Sequence, residues 1–151
     1  MKASNVLPIR RLIWDGFAVA AIVGRFDPKF GAVFECAVSI PGGTEARVPV
    51  HLLIDTGVSH TMIRDQLLKK AGLKPDGVVE LAGLAGLLNV YIADLFVTGF
   101  GLWRPALKIT QLHPQYEHPN FPNDGFFGRD LLAACVFETN GPASTFRLLL
   151  G

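Results

Sequence analysis

Leu52-Leu53-Ile54-Asp55-Thr56-Gly57-Val58-Ser59-His60-Thr61-Met62-Ile63 decides how the rest of this chain is read. An apolar run enters Asp-Thr-Gly, and a second extended run leaves it. The pattern predicts a buried strand, a sharp loop and a return strand, with the carboxylate of Asp55 at the loop tip. Gly57 lacks a Cβ and lets the backbone bend tightly and approach closely. Thr56 supplies a hydroxyl that can fix the loop. Taken alone, the triplet also reads as an ordinary hairpin turn, because Asp, Thr and Gly are common turn residues.

Working outward, the pattern is that of many short strands. Phe17 to Val23 is rich in Val, Ile and Phe, and Asp27-Pro28-Lys29 reads as a turn. Ala32–Ile40 and Arg47–Ile54 form a hairpin candidate about Pro41-Gly42-Gly43. Residues 64–71 have helical composition, with Gly72 as the stop. Val78–Leu81 is extended. Ala82-Gly83-Leu84-Ala85-Gly86-Leu87 then reads either as a mobile hairpin tip or as a tightly packed helix. It is no phosphate loop, since no Lys-Ser or Lys-Thr follows. Tyr91–Val97, Ala106–Leu112 and Thr145–Leu150 are further strands. Arg129-Asp130-Leu131-Leu132 starts a helix, and Ala133–Phe137 continues its apolar run.

The chain has 151 residues, half of them hydrophobic, 18% charged, with a formal net charge of +1. That is enough for one domain with a real core. It gives no footprint for nucleic acid or an anionic membrane surface. Sixteen Gly and ten Pro agree with short strands and many turns. Asp15 and Gly16 break the apolar N-terminal run, which is too short for a membrane helix or a clean signal peptide, so a cytoplasmic protein is expected. Residues 1–16 are poorly patterned and read as an N-terminal arm or an edge strand, ahead of a domain over 17–151.

Cys36 and Cys135 lie in apolar runs without metal-type spacing. They read as buried thiols in a reducing compartment, with a single disulfide as the other reading. His113, Glu117 and His118 stand together in a Pro-rich loop, but zinc sites use tighter ligand pairs on ordered elements, so a solvated loop is expected and no metal. His51 and His60 stand alone and are expected to be satisfied, partly buried histidines.

Two distant motifs then stand in a telling order: Leu53-Ile54-Asp55-Thr56-Gly57-Val58-Ser59, and Phe126-Phe127-Gly128-Arg129-Asp130-Leu131-Leu132, with a glycine-bearing hairpin between them. Over roughly residues 30 to 150 the chain resembles the retroviral-type aspartic proteases, the retropepsins and their bacterial single-domain relatives. The resemblance implies an all-β fold, a closed acid-protease barrel with one short C-terminal helix. It implies Asp55 as the catalytic carboxylate, Thr56 and Gly57 as its loop, and Val58, Ser59, Gly83, Leu84, Ala85 and Gly86 as substrate-binding positions, the last four forming a flap. Phe126, Phe127 and Gly128 match the segment passing beneath the catalytic loop. Arg129 matches an arginine tying the helix to the site, and an ion pair of Arg129 with Asp130 is the expected structural role. The acid that some relatives carry two residues after the catalytic glycine is Ser59 here.

Hydrolysis by this route needs two carboxylates sharing a proton. The chain has one Asp-Thr-Gly, so the second must come from another copy. The resemblance therefore implies a homodimeric aspartic endopeptidase acting on peptides, with no cofactor. If the N-terminal and C-terminal strands interleave at the interface, as in retroviral relatives, removing Thr145 to Gly151 would abolish the dimer. A catalytically silent dimer binding peptides or a partner protein through the same groove is the alternative.

Overall fold

The computed structural model describes residues 10–14, 17–43, 47–118 and 120–151. Residues 1–9, Asp15 and Gly16 at the break in the apolar run, residues 44–46, and Pro119 in the Pro-rich loop lie outside them. In chain order the strands are β1 (Arg10–Trp14), β2 (Phe17–Asp27), β3 (Gly31–Ser39), β4 (Val48–Ile54), β5 (Met62–Ile63), β6 (Gly77–Glu80), β7 (Leu87–Val97), β8 (Gly101–Gln111), β9 (Gly125–Phe127), β10 (Cys135–Asn140) and β11 (Thr145–Leu150). Two short helices, α1 (Asp65–Lys70) and α2 (Arg129–Leu132), and a 3-10 turn at Pro114–Tyr116 complete the described elements.

Six strands close on themselves. β3 pairs β4, β4 pairs β9, β9 pairs β5, β5 pairs β8, β8 pairs β7, and β7 returns to β3. A closed ring leaves no free edge among its members. The inward residues alternate as a pleated strand requires. Ala32, Phe34, Cys36 and Val38 on β3, and Val48, Val50, Leu52 and Ile54 on β4, are buried in one core. Phe127 sits between Phe34 (5.1 Å, edge-on) and Trp103 (5.8 Å, stacked). This is the all-β closed barrel expected, with α1 at the predicted 64–71 segment and α2 at Arg129. Outside the ring β2 leads to a second sheet, in which β11 lies between β2 and β10 while β1 pairs with β2.

Some boundaries differ from the sequence pattern, each for a visible reason. β8 begins at Gly101 and runs through Pro105, where the sequence suggested a start at Ala106. Proline cannot donate to a ladder, but here it sits at a bulge. Between the pairs Ala93↔Leu107 and Leu95↔Arg104 the register shifts. Ala106 takes a φ of 47°, and its N–H donates to the buried carboxylate of Asp94 at 2.8 Å. The same carboxylate accepts the N–H of Gly42 at 2.9 Å. The apolar run after α2 is not helix: α2 stops at Leu132 and β10 starts at Cys135. The repeated Ala-Gly-Leu is a turn and not a helix, with Gly83 and Gly86 at φ of 82° and 91°. Among the described residues, no helix is long and apolar enough to cross a membrane.

Both cysteines are free. Burial, and secondarily the charge of Glu35, push the Cys36 thiol well above its usual range. Burial pushes Cys135 up to about 11. Since the thiolate is the reactive form, only about one Cys135 in a thousand is ionised at pH 8. Labelling by a thiol reagent should therefore be slow in the native protein at pH 8 and accelerate as pH approaches 11; fast stoichiometric labelling at pH 8 would contradict the burial.

Gly125 marks the tightest backbone approach in the ring. A Cβ there would lie 1.9 Å from the Met62 carbonyl oxygen, which cannot retreat without breaking the β5–β9 pairing. Gly125→Ala is expected to lower stability by about 3 kcal/mol or more, measured as a shift in the urea midpoint.

Candidate active site

β4 delivers Asp55 to the end of the barrel, and the chain then folds back through Thr56 and Gly57 to β5. The loop is held from beneath at two points. The Asp55 N–H donates to the Phe127 carbonyl at 3.1 Å, and the Arg129 N–H donates to the Val58 carbonyl at 2.8 Å. Inside the loop the Val58 N–H reaches the Asp55 carbonyl at 3.3 Å. The Gly57 N–H donates to Asp55 Oδ1 at 2.8 Å. A Cβ on Gly57 would lie 3.1 Å from that same oxygen, tight enough to disturb the arrangement. Among the described residues nothing donates to Asp55 Oδ2. Thr56, Gly57 and Ser59 are exposed, Val58 is half-buried, and Ser59 Oγ lies 2.9 Å from His60 Nδ1.

The strongest support comes from Thr61, a residue the sequence reading did not single out. Its side chain is fully buried. The hydroxyl accepts the Gly128 N–H at 3.1 Å and donates to Asp130 Oδ1 at 2.8 Å. The Thr61 N–H reaches both Asp130 oxygens at 3.0 Å. The return strand and the start of α2 are thereby tied into one unit. A Cβ on Gly128 would lie 2.8 Å from the His60 carbonyl carbon, so glycine is what permits this contact. The expected Arg129–Asp130 ion pair is not formed: among the described residues the Arg129 side chain has no ion pair, and Asp130 turns back to the donors of Thr61. The signal available in sequence was a threonine in the return strand and an acid in the first turn of the helix, but nothing in their spacing shows that they meet.

A second anchor joins β4 to the segment before β9. His51 N–H donates to Asp124 Oδ2 at 2.8 Å, and the Asp124 N–H donates to the His51 carbonyl at 2.9 Å. The His51 ring lies between carboxylates, 3.4 Å from Glu35 and 3.6 Å from Asp124. It is therefore not the isolated residue that the sequence suggested. Arg64 fixes the same segment by donating to the carbonyls of Phe121 (3.0 Å) and Asn123 (3.1 Å).

Gly83, Leu84, Ala85 and Gly86 form the turn of the β6–β7 hairpin. Leu81 and Leu84 pack with Val58, Leu53, Tyr116 and Phe121 against buried Met62, Leu112 and Phe126. The turn thus shares an apolar cluster with the Asp55 loop. His113 contacts Ala85, and His118 Nδ1 accepts the Asn120 N–H at 3.0 Å. Among the described residues no cluster of His, Cys, Asp or Glu is arranged to hold a metal ion. A surface depression of about 670 Å³ lies between β2, β10 and β11, lined by Val23, Phe146 and Arg147 among others, and includes none of the Asp55 loop.

Thr61→Val keeps the shape and removes the hydroxyl, leaving the Gly128 N–H without its acceptor. It should cost about 1–3 kcal/mol in chemical denaturation, while Thr61→Ser should retain most of the stability. Equal stability of Thr61→Val and wild type would show that the knot contributes nothing.

Comparison with known proteins agrees with this geometry. Residues 37–95, which carry β4 and the Asp55 loop, match the aspartyl protease family model. No curated protein matches the chain. Among solved structures, a retropepsin-like aspartic protease from Rickettsia conorii superposes with a TM-score of 0.56 at 14% identity, covering 87% of this chain and 92% of that one. The resemblance drawn from the two motifs is borne out: the chain has the retropepsin-like fold, and the residues that match the aspartyl protease model include Asp55.

Proposed function

We propose that this protein is an aspartic endopeptidase whose active site is completed by a second copy of the chain. The observation that carries the reading is the Asp55 loop. It is pinned at both Asp55 and Val58, and it offers a half-exposed carboxylate with one oxygen bound by Gly57 N–H and the other without a donor among the described residues. A single such loop supplies one carboxylate. A two-fold dimer would set Asp55 against Asp55 of the partner subunit, where two close carboxylates cannot both ionise easily and one keeps its proton.

In that arrangement the ionised Asp55 takes a proton from water as its oxygen attacks the scissile carbonyl carbon. The protonated one donates to the carbonyl oxygen. The tetrahedral intermediate collapses by breaking the C–N bond, and the departing nitrogen takes up a proton from the dyad. No cofactor takes part. Thr56 and Gly57 shape the loop, Val58 and Ser59 flank the scissile bond, and Gly83, Leu84, Ala85 and Gly86 form the flap over an extended peptide. Phe127, Gly128, Arg129 and Asp130 support the loop from below. Residues 17–151 would make up this catalytic domain, with Arg10–Trp14 paired onto β2 as an added strand.

Interleaving of terminal strands does not suit this chain. β11 is already paired on both edges within its own chain, by β10 and β2. It has no edge to offer a partner, so deletion of 145–151 would damage the subunit itself as well as any dimer.

The second reading, a silent peptide-binding dimer, draws on two observations: among the described residues Arg129 has no acidic partner, and Ser59 stands where some relatives carry an acid. Asp55→Asn separates the two readings. With fold and dimer intact, it should lower cleavage of a mixed peptide library by about 10²–10⁴-fold or more between acid and neutral pH. Absence of cleavage by the wild-type dimer at every pH would favour the binding module.

A further inference from the structure

The turn that would serve as flap is already engaged by the chain itself. Ala85 O lies 2.8 Å from His113 Nε2. A carbonyl oxygen can only accept, so Nε2 carries the hydrogen. His113 Nδ1 accepts the Gln115 N–H at 3.1 Å, which caps the 3-10 turn. The neutral ring thus has both nitrogens satisfied in this one arrangement, and its face is braced by Tyr116, 6.5 Å away and edge-on.

The wall behind His113 is held firmly. Arg64 grips the far end of the same segment at Phe121 and Asn123. Tyr116 and Phe121 pack on Phe126 at 5.2 Å and 4.9 Å. The 81–86 turn, by contrast, has little of its own. The β6–β7 ladder ends at Glu80↔Leu87, and the one backbone bond inside the turn is Leu84 N–H to Leu81 O at 3.1 Å. What holds it down is the His113 contact, together with Leu81 and Leu84 seated among Val58, Met62, Leu112 and Phe126. Val58 follows Asp55 by three residues, so those leucines belong to the same apolar cluster as the Asp55 loop.

We propose that His113 is a latch: its bond to Ala85 holds Leu81 and Leu84 in the apolar pocket beside Val58, and this latch must open before an aliphatic peptide side chain can take their place. The chemistry of the occupants sets the ligand class, since a pocket filled by leucines suits a Leu- or Met-like side chain. The substrate part of this inference rests on the protease reading above; the latch itself does not. His113 is a gating residue here and takes no part in bond breaking.

The test uses the full chain as wild type, His113→Phe and His113→Gln. Phenylalanine keeps a ring against Tyr116 and removes the donor; the glutamine amide can still donate. Exchange of the Leu84 amide, the turn N–H held in a backbone bond, should be about five-fold faster in His113→Phe and nearer wild type in His113→Gln when read by NMR, with β4 and β9 unchanged. On a peptide with leucine next to the scissile bond, KM should fall by up to the same factor while kcat holds, because less of the protein is closed. Unchanged exchange of the Leu84 amide in His113→Phe would overturn the latch, as would an equal rise throughout the molecule. Failure of the wild type to cleave any peptide would count against the protease reading alone, because the exchange result decides the latch without it.

Discussion

Three residues, Gly125–Phe127, slide between β4 and β5 and hold this molecule together. β9 runs parallel to β4, with Leu52↔Gly125 and Ile54↔Phe127, and antiparallel to β5 on its other side. Without it the ring would open at the point where Asp55 emerges. Parallel neighbours need a long connection, and here the connection is nearly half of the chain, residues 55–124: β5 to β8 are built before β9 returns. The close approach is possible because Gly125 has no side chain to meet Met62. The payload is Phe127, fully buried between Phe34 and Trp103, whose carbonyl also receives the Asp55 N–H. One short strand therefore closes the barrel, fills its core and positions the carboxylate.

The loop above β9 shows how a polar site is kept rigid next to an apolar core. Buried polar groups must be hydrogen-bonded, and a group left alone costs more than a made bond returns. Thr61 meets this demand with one hydroxyl acting both as acceptor, from Gly128, and as donor, to Asp130. Among the described residues no buried side-chain nitrogen or oxygen lacks a partner. The carboxylate of Asp55 is held by its own loop at Oδ1 and stays half-exposed. Rigidity below and access above are what a carboxylate must have if it is to act on something from outside.

The apolar side of the site is supplied by segments distant in sequence. Met62 comes from β5, Leu112 from just past the end of β8, Phe126 from β9, and Leu81 and Leu84 from the β6–β7 turn. These segments meet because the ring brings their ends to one rim. The Pro-rich segment after β8 is solvated on its outer side, as its composition suggests, with Pro114, Gln115, Glu117, His118 and Asn120 exposed, but its other residues pack inward. Arg64 binds its carbonyls and its aromatics stack on Phe126. Its histidines are spent on backbone groups, His113 on Ala85 and Gln115, His118 on Asn120.

The sequence by itself determined the elements whose cause is local. Alternating apolar residues made β3 and β4 strands, Pro41-Gly42 turned the chain between them, and Gly72 ended α1. The two motifs around Asp55 and Gly128, in their order, were enough to point to the barrel. Only the tertiary structure decided what joins distant residues. The threading of β9, the meeting of Thr61 with Asp130 across 69 positions, the double pairing of β11 and the bulge that accommodates Pro105 have no local signature. Each depends on which strands become neighbours. Periodicity tells a residue which face it occupies, but hydrogen-bond partners are assigned by closure of the whole ring, a constraint that belongs to no segment alone.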